Sequence, residues 1–258
     1  MNIHPTALVD SGAEIGDRCE IGPWSVIEAE VVLGEGCRVG PHVHLRGPMV
    51  IGSENRIHTG CVLGDDPQDF KFQNQPTRLV IGDRNVFREH VTIHRSNSLE
   101  EDTVIGDRNY FMASSHVGHN SRIGNDNVFV NGALVAGHVI LGNHCIVSGN
   151  AMIHQFVRVG SFAMMQGGAA ISKDLPPFCM ASRQNRMAGL NTVGLRRNGF
   201  SPAERTELRE LYRFLFMQNL PWEEKLPRAW HRYTAAPSVQ MLEFVSGSSR
   251  GICAHGRD

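Results

Sequence analysis

Four histidines, His116, His119, His138 and His154, fall in one stretch of the chain that also carries Gly137 and Gln155. Two chemistries suit such a set. An imidazole can take the proton of a substrate hydroxyl, while a glycine, lacking a side chain, can offer its backbone N–H to the oxyanion that develops. Alternatively, three imidazoles can hold a metal ion. Histidines scattered over a polar surface would do neither. The choice depends on the elements that carry these residues and on whether they bring them together.

Those elements are marked by a period of six. Apolar residues recur at every sixth position as Ile3, Val9, Ile15, Ile21, Ile27 and Leu33, and the series ends as Ile153, Val159, Met165 and Ile171. No helix or ordinary strand has this period; it belongs to a repeat architecture. Each unit of six reads as a short strand and a bend, and three units close a triangular coil of eighteen residues. Coils stack at a strand spacing of about 4.8 Å and bond as parallel sheets. The apolar residue of the beat points into the prism. The glycine that often follows it (Gly16, Gly22, Gly34) is expected to allow the bend. Two positions before the beat the side chain is small, as at Ala7, Ala13 and Cys19, to fit a narrow corner.

Four of the six cysteines, Cys19, Cys37, Cys61 and Cys145, occupy that small slot, and no C-x-x-C pair occurs. Buried thiols are therefore expected rather than zinc or disulfide sites. Free thiols without an apolar leader argue for the cytoplasm. No run reaches the ~18 apolar residues of a membrane span. A formal charge of −1 over 258 residues gives no basic excess for nucleic acid.

The beat weakens twice, at 65–80 (DDPQDFKFQNQPTRLV) and at 95–103 (RSNSLEEDT), where polar residues and prolines predict loops carried on the scaffold. Leu99 keeps the beat within the second. After Ile171 the code stops. The expected division is a β-helix over 1–185 and a helical region over 186–258, beginning with a Gly-rich connector at 186–200. Ser201-Pro202-Ala203-Glu204 reads as a capping box with Pro at the first position. Leu208, Leu211, Tyr212, Leu215 and Phe216 form one apolar stripe, Pro221 and Pro227 interrupt the segment beyond that stripe, and a further helix is expected around Val239–Val245.

Stacking now locates the histidines. Positions eighteen apart lie one above the other, so His119 lies below Gly137 and Gly137 below Gln155. Asn120 lies below His138, and His154 stands in the adjoining column with Gly118 and Ala136. His119 is two places past a beat residue and is expected to face outward, on a prism face. A general base with an oxyanion-binding amide, or a metal held by His116, His119 and His138, both remain open on this count.

The stretches DPQDFKF, QPTRLVIGDRN, REHVTIHR, HVGHN, AGHV, IHQF, KDLPPF, GLNTVGLRRNGFS and LYRFLF go further. With them the chain resembles, over nearly its whole length, the acyl-[acyl carrier protein]–UDP-N-acetylglucosamine O-acyltransferases of lipid A biosynthesis. The resemblance implies a left-handed parallel β-helix with a C-terminal helical domain, a homotrimer with active sites between subunits, acyl carrier protein as donor, and no cofactor or metal. It implies His119 as general base and Gly137 as the oxyanion-hole residue. His138 and Gln155 would line the acyl and thioester region, and His116 and His154 would contact sugar or pyrophosphate. Gln68, Asp69 and Lys71 match residues that hold the glucosamine, and Asn191 and Arg197 match residues at the nucleotide end. Gln166 and Gly167 match the acyl-chain ruler.

This chain departs from the pattern at several places. Asn120 replaces the Asp that usually follows the catalytic His; it can orient the imidazole but brings no charge. NIEG reads NTVG here, the second Arg after Arg197 is Asn198, and HRGT reads HRSN. A paralogue acylating a 3-amino UDP-sugar, a trimeric metalloenzyme of the carbonic-anhydrase type, and an inactive scaffold are the other readings. Turnover of the amino sugar, stoichiometric zinc, and sugar binding without turnover would mark each in turn.

Overall fold

A computed structural model describes residues 1–256 of the chain. Twenty-nine short strands make three sheets of twelve, nine and eight strands. Pairing is parallel throughout the prism, and successive strands visit the three sheets in turn. The result is a left-handed parallel β-helix with a small C-terminal helical region. Partners differ by eighteen positions, as in Asn2↔Glu20 and Val128↔Ile146. The two loops change that count. Val62 pairs with Thr92, thirty positions on, and Val80 pairs with Val104, twenty-four on. The first loop therefore adds twelve residues and the second six. Because six is also the repeat length, the beat survives through the second loop by coincidence only. Leu99, expected to keep it, lies two-thirds exposed outside the core.

The beat residues form the core. From Ile21 to Ile171 they are buried, whereas Ile3, Val9 and Ile15 of the first coil are only partly so. Phe87, Phe111 and Phe129 stack at centroid distances of 5.1 and 4.5 Å along one inner column, a favourable offset arrangement of flat rings. In a second column Asn55, Asn85, Asn109 and Asn127 form a buried ladder, each amide oxygen accepting from the backbone of the next coil and the last from Cys145 N at 2.7 Å. A buried amide is tolerable only when satisfied in this way. All six cysteines are free and buried. Burial pushes the Cys61 and Cys145 thiols up to about 12.

The glycines do a different job from the one expected. The left-handed bend lies three residues past the beat and is mostly not glycine: Arg18, Trp24, Asn120 and His138 have φ of 58°, 54°, 57° and 57°. The glycine directly after the beat is needed for the stacking distance. A Cβ on Gly34 would stand 2.5 Å from the backbone carbon of Gly52 in the next coil, closer than any real contact allows.

The expected boundary at 185 falls inside a hairpin. Cys179–Ser182 and Arg186–Leu190 pair antiparallel, and Ala254–His255 returns to pair with the second strand. The stretch 186–200, expected as a Gly-rich connector, holds a strand followed by a short helix α1, Thr192–Arg197. Helix α2, Pro202–Met217, begins on the Ser201–Glu204 capping box and buries Leu208, Leu211, Tyr212 and Leu215. Helix α3, Trp222–Arg232, runs through Pro227, which therefore does not interrupt it. Proline lacks the N–H for one intrahelical bond and costs a helix interior stability; here Lys225 Nζ, 2.8 Å from Leu215 O at the end of α2, ties α3 to its neighbour. Helix α4 spans Ala236–Ser246. Among the described residues no helix is long and apolar enough to cross a membrane.

Candidate active site

The nine-stranded sheet carries His116–Val117, Leu134–Val135, Met152–Ile153 and Ala170–Ile171 on successive coils. Inward residues of each pair fill the core. Outward ones form the floor of a cavity of about 730 Å³, apolar at Leu134, Met152 and Ala170. The same cavity is lined by Gln68, His116, His119, Gly137, His154 and Gln155. The structure therefore brings six of the expected residues to one place. His119 does face outward from the prism, yet it is only 5% exposed, because the residues around it leave little but the cavity open.

His119 and Gly137 are in direct register. The His119 carbonyl accepts from His138 N at 2.8 Å, and a Cβ on Gly137 would lie 2.8 Å from both Cε1 and Nε2 of the His119 ring. The glycine is what leaves Nε2 open to the cavity. On the far side of the ring, Nδ1 lies 2.8 Å from Asn120 Oδ1. His138 does not line the cavity. It packs edge-on to His119 at 5.1 Å and stacks on Phe156 at 4.7 Å, which holds the corner beside the base.

His94 also lines the cavity and escaped the eighteen-residue count. Its strand pairs at an interval of twenty-four, Thr92 with His116, because the second loop intervenes. His94 packs edge-on to His116 at 4.8 Å, and its buried Nδ1 has no hydrogen-bond partner. Burial, more than the opposing pull of Asp65 and Asp66, holds His94 below the ordinary histidine value, and burial likewise lowers His138. His116 is held to about 4, first by burial and then by repulsion from His94 and His119; its Nδ1 lies 2.8 Å from Thr92 Oγ1. Unlike ligands converging on one point, these rings meet edge to face. Among the described residues no three His, Cys, Asp or Glu side chains stand where they could hold one metal ion.

His116 should make the stability of the fold depend on pH. Unfolded, the ring takes a proton near 6.5; folded, it resists until about 4. Between those values the unfolded chain binds the extra proton, so stability falls as pH is lowered through this window. The loss by pH 4 should be about 3 kcal/mol from this group. Urea midpoints measured from pH 7 to 4 should show it, and His116→Gln should flatten that part of the curve.

The loops close one side of the site. Arg95 reaches Asp66 Oδ1 at 2.5 Å and Gly47 O at 2.9 Å, and its guanidinium lies over Phe72. Asn97 Nδ2 donates to Asp69 Oδ2 at 2.7 Å. These bonds hold the first loop against the second and set Gln68 at the cavity edge. Asp69 lies below the usual carboxylate range because the Lys71 N–H and then Asn97 bond its charged form. The remaining candidates lie apart within one chain. Lys71 and Arg197 are exposed. The Asn191 side chain caps α1 through Gly194 N at 3.0 Å and donates to Phe162 O at 3.0 Å. Gln166 and Gly167 sit at an exposed corner, Gln166 against Met180 Sδ.

Residues 174–253 match the family model described as UDP N-acetylglucosamine O-acyltransferase, domain 2. The acyl-[acyl-carrier-protein]–UDP-N-acetylglucosamine O-acyltransferase of Chlorobaculum parvum is 55% identical over 260 residues, covering 99% of this chain and 96% of that protein. That of Paraburkholderia phytofirmans is 46% identical over 257 residues, covering 97% and 98%. Among solved structures, the UDP-N-acetylglucosamine acyltransferase of Francisella novicida superposes with a TM-score of 0.94 at 35% identity, over 99% of this chain and 95% of that one. The enzyme from Bacteroides fragilis gives 0.93 at 34%, over 97% and 99%.

Proposed function

Because this chain belongs to the acyl-[acyl-carrier-protein]–UDP-N-acetylglucosamine O-acyltransferase family, we propose that it moves a (3-hydroxy)acyl group from acyl carrier protein to the 3-hydroxyl of UDP-N-acetylglucosamine, opening lipid A assembly. The observation that carries this reading is the placement of His119 Nε2 beside Gly137 in the lining of an apolar-floored cavity. His119 Nε2 takes the proton as the sugar oxygen attacks the thioester carbon. The carbonyl oxygen becomes an oxyanion and accepts from the Gly137 N–H. The intermediate collapses, the C–S bond breaks, and the carrier thiolate takes the proton back from the imidazolium. The neighbouring His94, His116 and His138 are all held below the ordinary histidine value.

Leu134, Met152 and Ala170 suit an acyl chain, while Gln68, His116, His154 and Gln155 suit the sugar and thioester ends. We further propose a homotrimer. The cavity is open on one side, Phe70 at the tip of the first loop is fully exposed, and Leu134 and Met152 are each about two-fifths or more exposed. A second subunit would cover them and supply the candidates that lie apart in one chain: Lys71, Arg197, Asn191, Gln166 and Gly167. A cationic pair such as Lys71 and Arg197 fits a pyrophosphate. Six free buried thiols support work in the reducing cytoplasm.

The test is an acyl-transfer assay with UDP-N-acetylglucosamine and its 3-amino analogue, each against acyl carrier proteins of graded chain length. Ester formation on UDP-N-acetylglucosamine is the expected result. Turnover of the amino sugar alone would replace the acceptor, and transfer to neither would remove the assignment.

A further inference from the structure

His119 can act as a base only if the nitrogen facing the cavity carries no hydrogen. That is decided at its other nitrogen, where Asn120 Oδ1 lies 2.8 Å away. A carboxylate would accept there in any rotation. An amide has one accepting and one donating end, so its rotation sets the tautomer of the ring. Two groups with no freedom of role fix this rotation. The Asn97 backbone N–H can only donate, and it meets Asn120 Oδ1 at 3.0 Å. The Ser98 carbonyl can only accept, and it takes the Ser96 hydroxyl hydrogen at 2.9 Å. Ser96 Oγ then has only lone pairs left, which receive Ser98 N at 3.0 Å and Asn120 Nδ2 at 2.8 Å. Thr103 Oγ1 holds the Asn120 backbone N–H at 2.7 Å. Ser96 is fully buried and Asn120 nearly so, so water cannot stand in for a missing partner.

We propose that Ser96 is a positioning residue for the acyl transfer. With its hydrogen given to Ser98, it locks the Asn120 amide so that His119 carries its hydrogen on Nδ1 and offers a bare Nε2 to the substrate hydroxyl. The inference rests on the reading of His119 as the base. It makes the loop at 95–103 a tautomer lock built for an uncharged partner of the histidine.

The test begins with ¹⁵N shifts of the His119 ring in the resting enzyme, assigned by loss of the signal in His119→Ala. At about pH 8, above the ordinary histidine range, Nδ1 should read as protonated and Nε2 as bare. Ser96→Ala leaves the Asn97 N–H as the one remaining anchor and strands the Asn120 Nδ2 hydrogen, so an Nε2–H fraction should appear beside the Nδ1–H form and kcat should fall about tenfold, with KM for the UDP-sugar unchanged. In Asn120→Asp, where both oxygens accept, Ser96→Ala should keep the Nδ1–H tautomer and cost less than about threefold. A resting enzyme protonated on Nε2, or a Ser96→Ala variant with one tautomer and full kcat, would overturn the proposal. The shifts are read without substrate, so they stand apart from the role of His119. Nδ1–H in an enzyme whose His119→Ala variant keeps its rate would sink the base and leave the lock supported.

Discussion

His119→Ala should lower kcat for acyl transfer by about three orders of magnitude, the middle of the range that a positioned general base supplies. The variant removes Nε2, which lies against Gly137 from one coil below. It leaves the Gly137 N–H and the apolar floor, so residual transfer and substrate binding should persist, with KM changed little. The fold should not suffer. The ring is no part of the packed core of the prism, and among the described residues its side-chain hydrogen bond runs to Asn120 Oδ1 alone. Circular dichroism and sedimentation should match the parent. A variant that keeps more than a tenth of the parental rate would refute the base.

Gly137→Ala is expected to cost about a hundredfold or more, the order of an oxyanion donor or a misplaced reacting group. The backbone at 137 is not left-handed, so alanine meets no conformational penalty there. Its Cβ, however, would lie 2.8 Å from two atoms of the His119 ring and 3.1 Å from the His119 carbonyl. The ring must swing away and take Nε2 from the place where it can reach a hydroxyl attacking the carbonyl held by the Gly137 N–H. The loss should fall on kcat, while the urea midpoint moves by a small fraction of the stability. Retention of the rate within threefold would show that the Gly137 amide and the His119 imidazole do not act on one attacking hydroxyl and carbonyl pair.

The sequence made the prism legible because one variable controls it. Burial of every sixth side chain gives the strands, their pairing and the inward column together, and stacking at eighteen puts His119 under Gly137. The reading failed wherever a loop intervened. His94 was missed because its neighbour above is twenty-four positions away, and Ser96 and Asn97 because no repeat governs where an extruded segment returns. The glycine after the beat was misread for a related reason: a glycine in sequence signals either a turn or a close approach, and only the stacked coils show which. Pro227 was taken for a break, although helix α3 carries it with the support of Lys225. Residues that a second subunit would bring to the cleft cannot be joined by counting along one chain.

The partly buried first coil has a consequence for where the molecule loosens. A stack of coils is one-dimensional, and each coil is held chiefly by its two neighbours. At the far end the pile is covered, by Leu175, Phe178 and the helices. At the near end Ile3, Val9 and Ile15 are only partly buried. Fraying therefore starts in this least buried coil and must undo coil after coil before it reaches the histidines. Between lie the asparagine ladder and the stacked phenylalanines, so the near end can open and close while the geometry at His119 is left undisturbed.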